Sequence, residues 1–326
     1  WTKIFQDKAM PGKLLHKTRR VVVKLGSNMI TAENSLNLAV IDSLSSQICT
    51  LMDRGIEVVL VSSGAMAAGL RKMTMDRRPD EIPKRQAIAA IGQSGLIKAW
   101  EKGFSRHGRK VAQILLTGED LNNRIRYLNA RNCLHTLMDW QVVPIINEND
   151  TIMVEEIKLG DNDNLAAMIT LLMDADFLFI LTDIDGLYDK DPRRYDDARL
   201  IPKVSRYESR IEEYASNIPG TLGTGGMLSK IRAARKVTSA GIPMMVARGD
   251  RPGILLDLFD RKGVGTYFEA STEKMASRKC WIAHTLVPKG SLTLDDGAVK
   301  AVKKGAKACF PSGWPMWTAI SERVRP

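Results

Sequence analysis

The sequence predicts an α/β protein in which a mostly parallel sheet is covered by helices on both faces. Three observations carry this. Short continuous runs of Val, Ile and Leu alternate with longer blocks of helical spacing from residue 20 to about residue 250, as expected when strands are buried on both sides. Polar and glycine clusters fall where those strands end, at Gly26-Ser27-Asn28, Ser62-Ser63-Gly64, Asn147–Asp150 and Thr182-Asp183, and ligands of such sheets sit at strand carboxyl ends. The chain has 326 residues, 44% hydrophobic and 26% charged, enough for one large core and a smaller additional piece.

The elements follow in order. "RRVVVKLG" is a β-branched run closed by glycine, and "NLAVIDSLSSQICTLMDRG" is a helix that stops at Gly55. "IEVVLVSSG" is a second buried strand and "AMAAGLRKM" a helix. "RQAIAAIGQSGLIKAWEKGF" is a helix with many small residues, followed by the strand "VAQILLT". "IRYLNARNCLHTLMDW" is helical, and "VVPIINEND" is a strand with a polar end. The pairs "NLAAMITLLMDA" and "DFLFILTD", then "GGMLSKIRAARKVTSAG" and "IPMMVARG", repeat helix and strand. From residue 271, "STEKMASRK" reads as a linker into a small β-rich tail. No internal repeat or low-complexity segment appears.

Composition excludes several classes. No run of about 18 apolar residues is present, so no membrane span is expected, and the first twenty residues lack the apolar stretch of a signal peptide. The chain opens on Trp1 rather than Met, so its true start is expected to differ. Cys49, Cys133, Cys280 and Cys309 are widely spaced and form no CxxC pair, which argues against a zinc site or disulfide framework and fits the cytoplasm. No metal site built from protein side chains is expected. The net charge of +11 resides at the ends: +5 in residues 1–20 and +6 in residues 273–326. The central body is neutral, which makes RNA binding through the tail a secondary reading.

Four stretches carry chemistry. Lys24 lies inside a valine-rich strand, where an ammonium either serves a site or reaches solvent at an edge. Ser62-Ser63-Gly64 at a strand end either binds an anion through backbone N–H groups or caps a helix. "GTLGTGGMLSK" places Gly223, Gly225 and Gly226 ahead of a helix that carries Lys230 in its first turns. That pattern suits a phosphate, but it is not GxxxxGK[ST], and no GxGxxG follows the first strand. "GDNDNLAAMI" sets Asp161, Asn162, Asp163 and Asn164 in a row at a helix start. Capping needs one such residue, so the surplus could bind an ammonium group or hold a lysine in place. Lysines, glycine loops and acids together suggest phosphoryl transfer, which rests on positioning and charge neutralisation. No His or Glu base stands out; a carboxylate acceptor is already ionised near pH 7 and needs none.

Together the motifs "KLGSN", "VSSGAMAAG", "LLTGEDLNNRIRYLNARN", "VVPIINEND", "IKLGDNDNLAAM", "LTDIDGLYDKDPR" and "GTGGMLSKIRAA" resemble the glutamate 5-kinase branch of the amino acid kinase family, from about Val21 to about Gly305. The resemblance implies a three-layer α/β/α sandwich spanning residues 20–270, after an N-terminal extension of residues 1–19. It implies ATP-dependent phosphorylation of the L-glutamate γ-carboxylate, the first step of proline synthesis, with Mg²⁺, a homo-oligomer, feedback inhibition by proline and handover to glutamyl phosphate reductase. Carried over by motif, Lys24 and Lys230 neutralise the transferring phosphoryl group and Asp163 orients them. Ser63, Asp150 and Asn162 contact glutamate, with Asp161 nearby. Thr182, Asp183, Thr224, Gly225, Gly226, Met227, Leu228, Ser229 and Lys230 frame ATP, with Lys24 reaching its phosphates. Residues 271–326 resemble the start of a PUA domain and leave its pattern after Lys307, where a reading-frame shift in the source gene is expected; resequencing tests that. Two alternatives stay open: another amino acid kinase with a different acceptor, and an RNA-binding or regulatory protein acting through its basic tail.

Overall fold

The computed structural model describes residues 18–32, 35–152, 162–205, 211, 226–260 and 264–271, with residues 297 and 299. The chain divides into two compact units, Trp1–Leu286 and Val287–Pro326. The expected β-rich tail lies outside the described residues.

The first unit is built on β1 (Arg20–Leu25), followed by a helical turn α1 (Ser27–Ile30) and a small hairpin of β2 (Thr31–Ala32) and β3 (Ser35–Leu36). Then come α2 (Leu38–Asp53), β4 (Glu57–Ser62), α3 (Ala65–Lys72), α4 (Ile82–Ser105), β5 (Val111–Leu116), α5 (Gly118–Asn122), α6 (Arg124–Asp139) and β6 (Val143–Glu148). A 3-10 turn, Asp150–Ile152, leaves β6. Beyond it lie α7 (Asn162–Leu172), β7 (Phe177–Thr182), β8 (Lys203–Val204), α8 (Met227–Ser239), β9 (Met244–Arg248), α9 (Ile254–Phe259) and β10 (Thr266–Phe268).

Eight strands form one sheet in the order β5-β6-β4-β1-β7-β9-β10-β8. All neighbours are parallel except β9 and β10. The chain leaves β1 on one side, through β4, and returns to its other side through β7, so the order reverses at β1. In an open α/β sheet, that reversal opens a crevice at the carboxyl ends of the strands.

Strand alternation sorts the core into two layers. Val21, Val23 and Leu25 face Ile41, Leu44 and Ile48 of α2 and Leu96, Trp100 and Phe104 of α4. Val22, Val59, Leu178 and Val246 face Leu165 and Ile169 of α7 and Ile231 and Ala234 of α8. The sheet is thus covered on both faces, as the unbroken apolar runs required. Nearly every residue of α7 is buried, consistent with a helix that is apolar on all sides.

Two glycines set the approach of α3 and α4. A Cβ on Gly69 would stand 1.9 Å from the Ile88 carbonyl oxygen, and one on Gly92 would stand 1.8 Å from the Ala65 carbonyl oxygen. Only glycine allows that contact. The Trp100 indole N–H donates to Ser62 Oγ at 2.9 Å, tying α4 to the carboxyl end of β4. The sequence pattern did not mark β8, β10, the hairpin or the short helices α1, α5 and α9. These pieces have too few residues to show a period.

Candidate active site

Alternation along β1 puts Lys24 on the same face as Val22, toward α7 and α8. The residue is 4% exposed. Its Nζ lies 2.6 Å from Oδ1 of Asp163, the second residue of α7, which is 1% exposed. The other carboxylate oxygen of Asp163 lies 3.1 Å from Lys230 Nζ and accepts from Ser229 Oγ at 2.5 Å. The surplus acid of the "GDND" stretch therefore holds two lysines from distant parts of the chain. Burial opposes the charge on Asp163, but the Lys230 and Lys24 ammonium groups and the Ser229 hydrogen bond outweigh it and hold the carboxyl well below its ordinary range. The first turn of α7 adds favourable helix-dipole potential. Two cations share one carboxylate, so the trio carries a net +1 inside the protein.

On one side of the trio lies a chain of amides. Asn162 Nδ2 donates to Ser63 Oγ at 2.8 Å and to Asn147 Oδ1 at 3.0 Å. Asn147 Oδ1 also accepts from the Glu148 backbone N–H at 2.9 Å, and its Nδ2 donates to Gln93 Oε1 at 2.9 Å. Asn162 is 5% exposed, and its Oδ1 is buried with no hydrogen-bond partner among the described residues. Ser63 precedes Gly64, whose left-handed backbone (φ 105°) turns the chain from β4 into α3. Asp150 opens the 3-10 turn after β6; burial pushes its carboxyl up to about 6, against the pull of Arg78. Asp161 lies outside the described residues.

On the other side, β7 ends in Thr182 and Asp183. The Gly26 N–H donates to the Leu181 carbonyl at 3.0 Å, bringing the turn after β1 against this edge. Asn28 Nδ2 donates to Asp183 Oδ2 at 2.9 Å, and the Thr182 hydroxyl donates to Oδ1 at 3.0 Å. Burial works against the Asp183 charge, yet these two bonds hold its carboxyl below the ordinary range. Gly226 caps α8 with an extended backbone and no side-chain cap, so Met227 and Leu228 begin the helix with N–H groups directed outward, while the Ser229 N–H donates to the Gly226 carbonyl at 3.2 Å. Thr224 and Gly225 lie outside the described residues. Past Thr182-Asp183 a cavity opens, lined by Asp185, Tyr188, Arg248 and Ile254 among others.

The structure thus gathers Lys24, Asp163, Ser229 and Lys230 at one point, joins Ser63 to Asn162, and joins Thr182 to Asp183. Residues absent from the expected set also take part. Asn147 sits in the "NEND" stretch and was legible there as polar sequence at a strand end. Asn28 was legible the same way. Gln93 lies mid-helix and carries no signal in the sequence. Among the described residues no three His, Cys, Asp or Glu side chains gather to hold a metal ion, and no helix is long and apolar enough to cross a membrane. Cys49 is buried and Cys133 exposed, both as free thiols.

The sequence model of the amino acid kinase family matches residues 19–248. The chain is 50% identical to a glutamate 5-kinase of Geobacter metallireducens over 92% of its own length and 81% of that protein. It is 46% identical to a glutamate 5-kinase of a Thermoanaerobacter species over 90% and 79% of the two chains. Among solved structures, a carbamate kinase from Giardia lamblia bound to AMP-PNP superposes with a TM-score of 0.55 at 17% identity, covering 78% of this chain and 99% of that one. A UMP kinase from Bacillus anthracis gives a TM-score of 0.53 at 17% identity, covering 78% and 97%.

Proposed function

The chain belongs to the amino acid kinase family, and from that premise we propose that it transfers the γ-phosphoryl group of ATP to the γ-carboxylate of L-glutamate. The observation that carries the reading is the buried Lys24–Asp163–Lys230 trio between the Asn162–Ser63 amide chain and the Thr182-Asp183 edge. Its relatives at 46–50% identity are glutamate 5-kinases.

The chemistry follows from charge. A γ-carboxylate oxygen attacks the terminal phosphorus in line, a P–O bond forms, and the bond to the ADP oxygen breaks. Nucleophile and electrophile are both anionic, and their repulsion is the main obstacle. Lys24 and Lys230 offset it, and Asp163 fixes where both ammonium groups point, so they need not reorganise during transfer. The acceptor is already ionised, and no protein base is required. Thr182, Asp183 and the start of α8, with Thr224 and Gly225 before it, frame the nucleotide. Mg²⁺ would be carried by the nucleotide phosphates, where it would offset part of their charge, since the ion keeps most of its own water. On the acceptor side, Asp150 and Asn162 Oδ1 receive the α-ammonium, with Ser63 and Asp161 beside them.

The same reading assigns residues 20–270 to the kinase domain, residues 1–19 to an N-terminal extension and residues 271–326 to a linker and truncated PUA-like segment. It places the enzyme in the cytoplasm as a homo-oligomer inhibited by proline. Because the product is a water-labile acyl phosphate, it also has the protein pass that product to a glutamyl phosphate reductase.

The test is direct. Purified protein is mixed with ATP, Mg²⁺, hydroxylamine and one of L-glutamate, L-aspartate or N-acetyl-L-glutamate, and hydroxamate is measured. Product from L-glutamate alone is expected. Product from another acid instead reassigns the acceptor, and none from any acid removes the kinase reading.

A further inference from the structure

We propose that Gln93, on α4, is a positioning residue that makes the acceptor site select an acid bearing an α-ammonium group; this rests on the glutamate reading above. The Glu148 backbone N–H can only donate, and it does so to Asn147 at 2.9 Å, so that atom of Asn147 is the amide oxygen. The other Asn147 atom is then NH₂, and it needs an acceptor, which Gln93 Oε1 supplies at 2.9 Å. With Asn147 fixed this way round, its oxygen also takes a hydrogen from Asn162 Nδ2 at 3.0 Å, while Ser63 Oγ takes the second at 2.8 Å. Both amide hydrogens of Asn162 are spent, and Oδ1 is left buried with no hydrogen-bond partner among the described residues.

A buried amide oxygen without a partner is costly, and the natural complement is a cationic N–H group. The substrate's α-ammonium has that chemistry. Gln93 touches neither the substrate nor the reacting atoms. It acts two amides away, by accepting from Asn147 Nδ2 and so reinforcing the polarity that the Glu148 N–H sets, which leaves the Asn162 Oδ1 acceptor without a partner among the described residues. Its place is fixed by packing: Gly92 next to it presses against the Ala65 carbonyl, and Trp100 two turns on is bonded to Ser62.

The test compares L-glutamate with glutarate, which has the same carbon chain and both carboxylates and lacks only the ammonium. Gln93→Met removes the acceptor, and Gln93→Glu restores an oxygen there. For Gln93→Met, KM for L-glutamate is expected to rise roughly tenfold, with KM for ATP and turnover of glutarate within about twofold, so preference for glutamate falls. Gln93→Glu should recover most of that preference. Equal losses on both acids, an unchanged KM, or no recovery by Gln93→Glu would overturn the assignment. If Gln93→Met does not fold, Gln93→Ala removes the same acceptor and is read identically; loss of folding in both would make Gln93 a structural residue and overturn it as well. If the wild-type protein phosphorylates no glutamate, the function reading has failed; if it does and preference is unmoved in Gln93→Met, only the Gln93 inference has.

Discussion

Lys24 and Lys230 meet on one carboxylate, and neither can be lost without changing the charge at the proposed point of transfer. Lys24→Met and Lys230→Met should each lower kcat by about a thousandfold or more. Asp163 keeps one ammonium partner in either variant, so each should still unfold cooperatively; a rate within tenfold of wild type would remove that lysine from the reaction. Asp150 carries a different signature. Its carboxyl stands near 6 against an ordinary 3.8 because burial disfavours the charge. A raised carboxyl pKa costs stability once the group ionises: the cost is absent below the unfolded value, grows as pH climbs from about 4 to 6, and is complete above that. Asp150→Asn should therefore raise the unfolding free energy at pH 7.5 by about 1–2 kcal/mol and leave it unchanged at pH 4, while weakening glutamate binding. In the wild type, KM for glutamate should rise as pH falls through about 6. Denaturant titration and kinetics at the two pH values read both.

At the scale of elements, α4 carries Gln93, which accepts from Asn147. It reaches the site only because Gly69 and Gly92 let α3 and α4 cross with backbone against backbone. Gly92→Ala would put a methyl group 1.8 Å from a carbonyl oxygen and 2.3 Å from the Gly69 nitrogen, a clash that no rotamer relieves. The helices must separate, at roughly 2–3 kcal/mol, and Gln93 moves with them. The expected outcome is a lower melting temperature together with a raised KM for glutamate, measured by thermal unfolding and steady-state kinetics. A variant with wild-type stability would mean the crossing is looser than these distances imply. The start of α7 shows the complementary economy: Asn162 faces the amide chain and Asp163 the lysines, so one helix terminus serves both halves of the site.

At the scale of the molecule, the reversal of strand order at β1 brings the carboxyl ends of β4 and β6 to one side of Lys24 and those of β7 and β9 to the other. On the proposed reading, acceptor and nucleotide thus approach from different halves of the sheet. A non-hydrolysable ATP analogue with Mg²⁺, and L-glutamate alone, should each raise the melting temperature, each adding about 2.7 kcal/mol at a hundredfold excess over Kd. No shift with glutamate alone would show that the acceptor half forms only after nucleotide binds.

Much of this was legible in the chain itself. The unbroken runs "VVVKLG", "VVLVSS" and "FLFILT" determine buried parallel strands, because only a strand covered on both faces tolerates apolar residues at successive positions. A lysine in the first of them, and four polar residues opening a helix that is otherwise buried, marked the site by their local cost. What only the tertiary structure decided was partnership. That Asp163 binds both Lys24 and Lys230 depends on which face of β1 meets α7 and α8. That Gln93 is linked to Asn162 depends on a glycine crossing and one intervening amide, Asn147. The physical reason is the same in both cases. Periodicity and burial cost are properties of neighbours in sequence, whereas a hydrogen bond or ion pair between residues 67 or 54 positions apart exists only after the sheet has chosen its strand order.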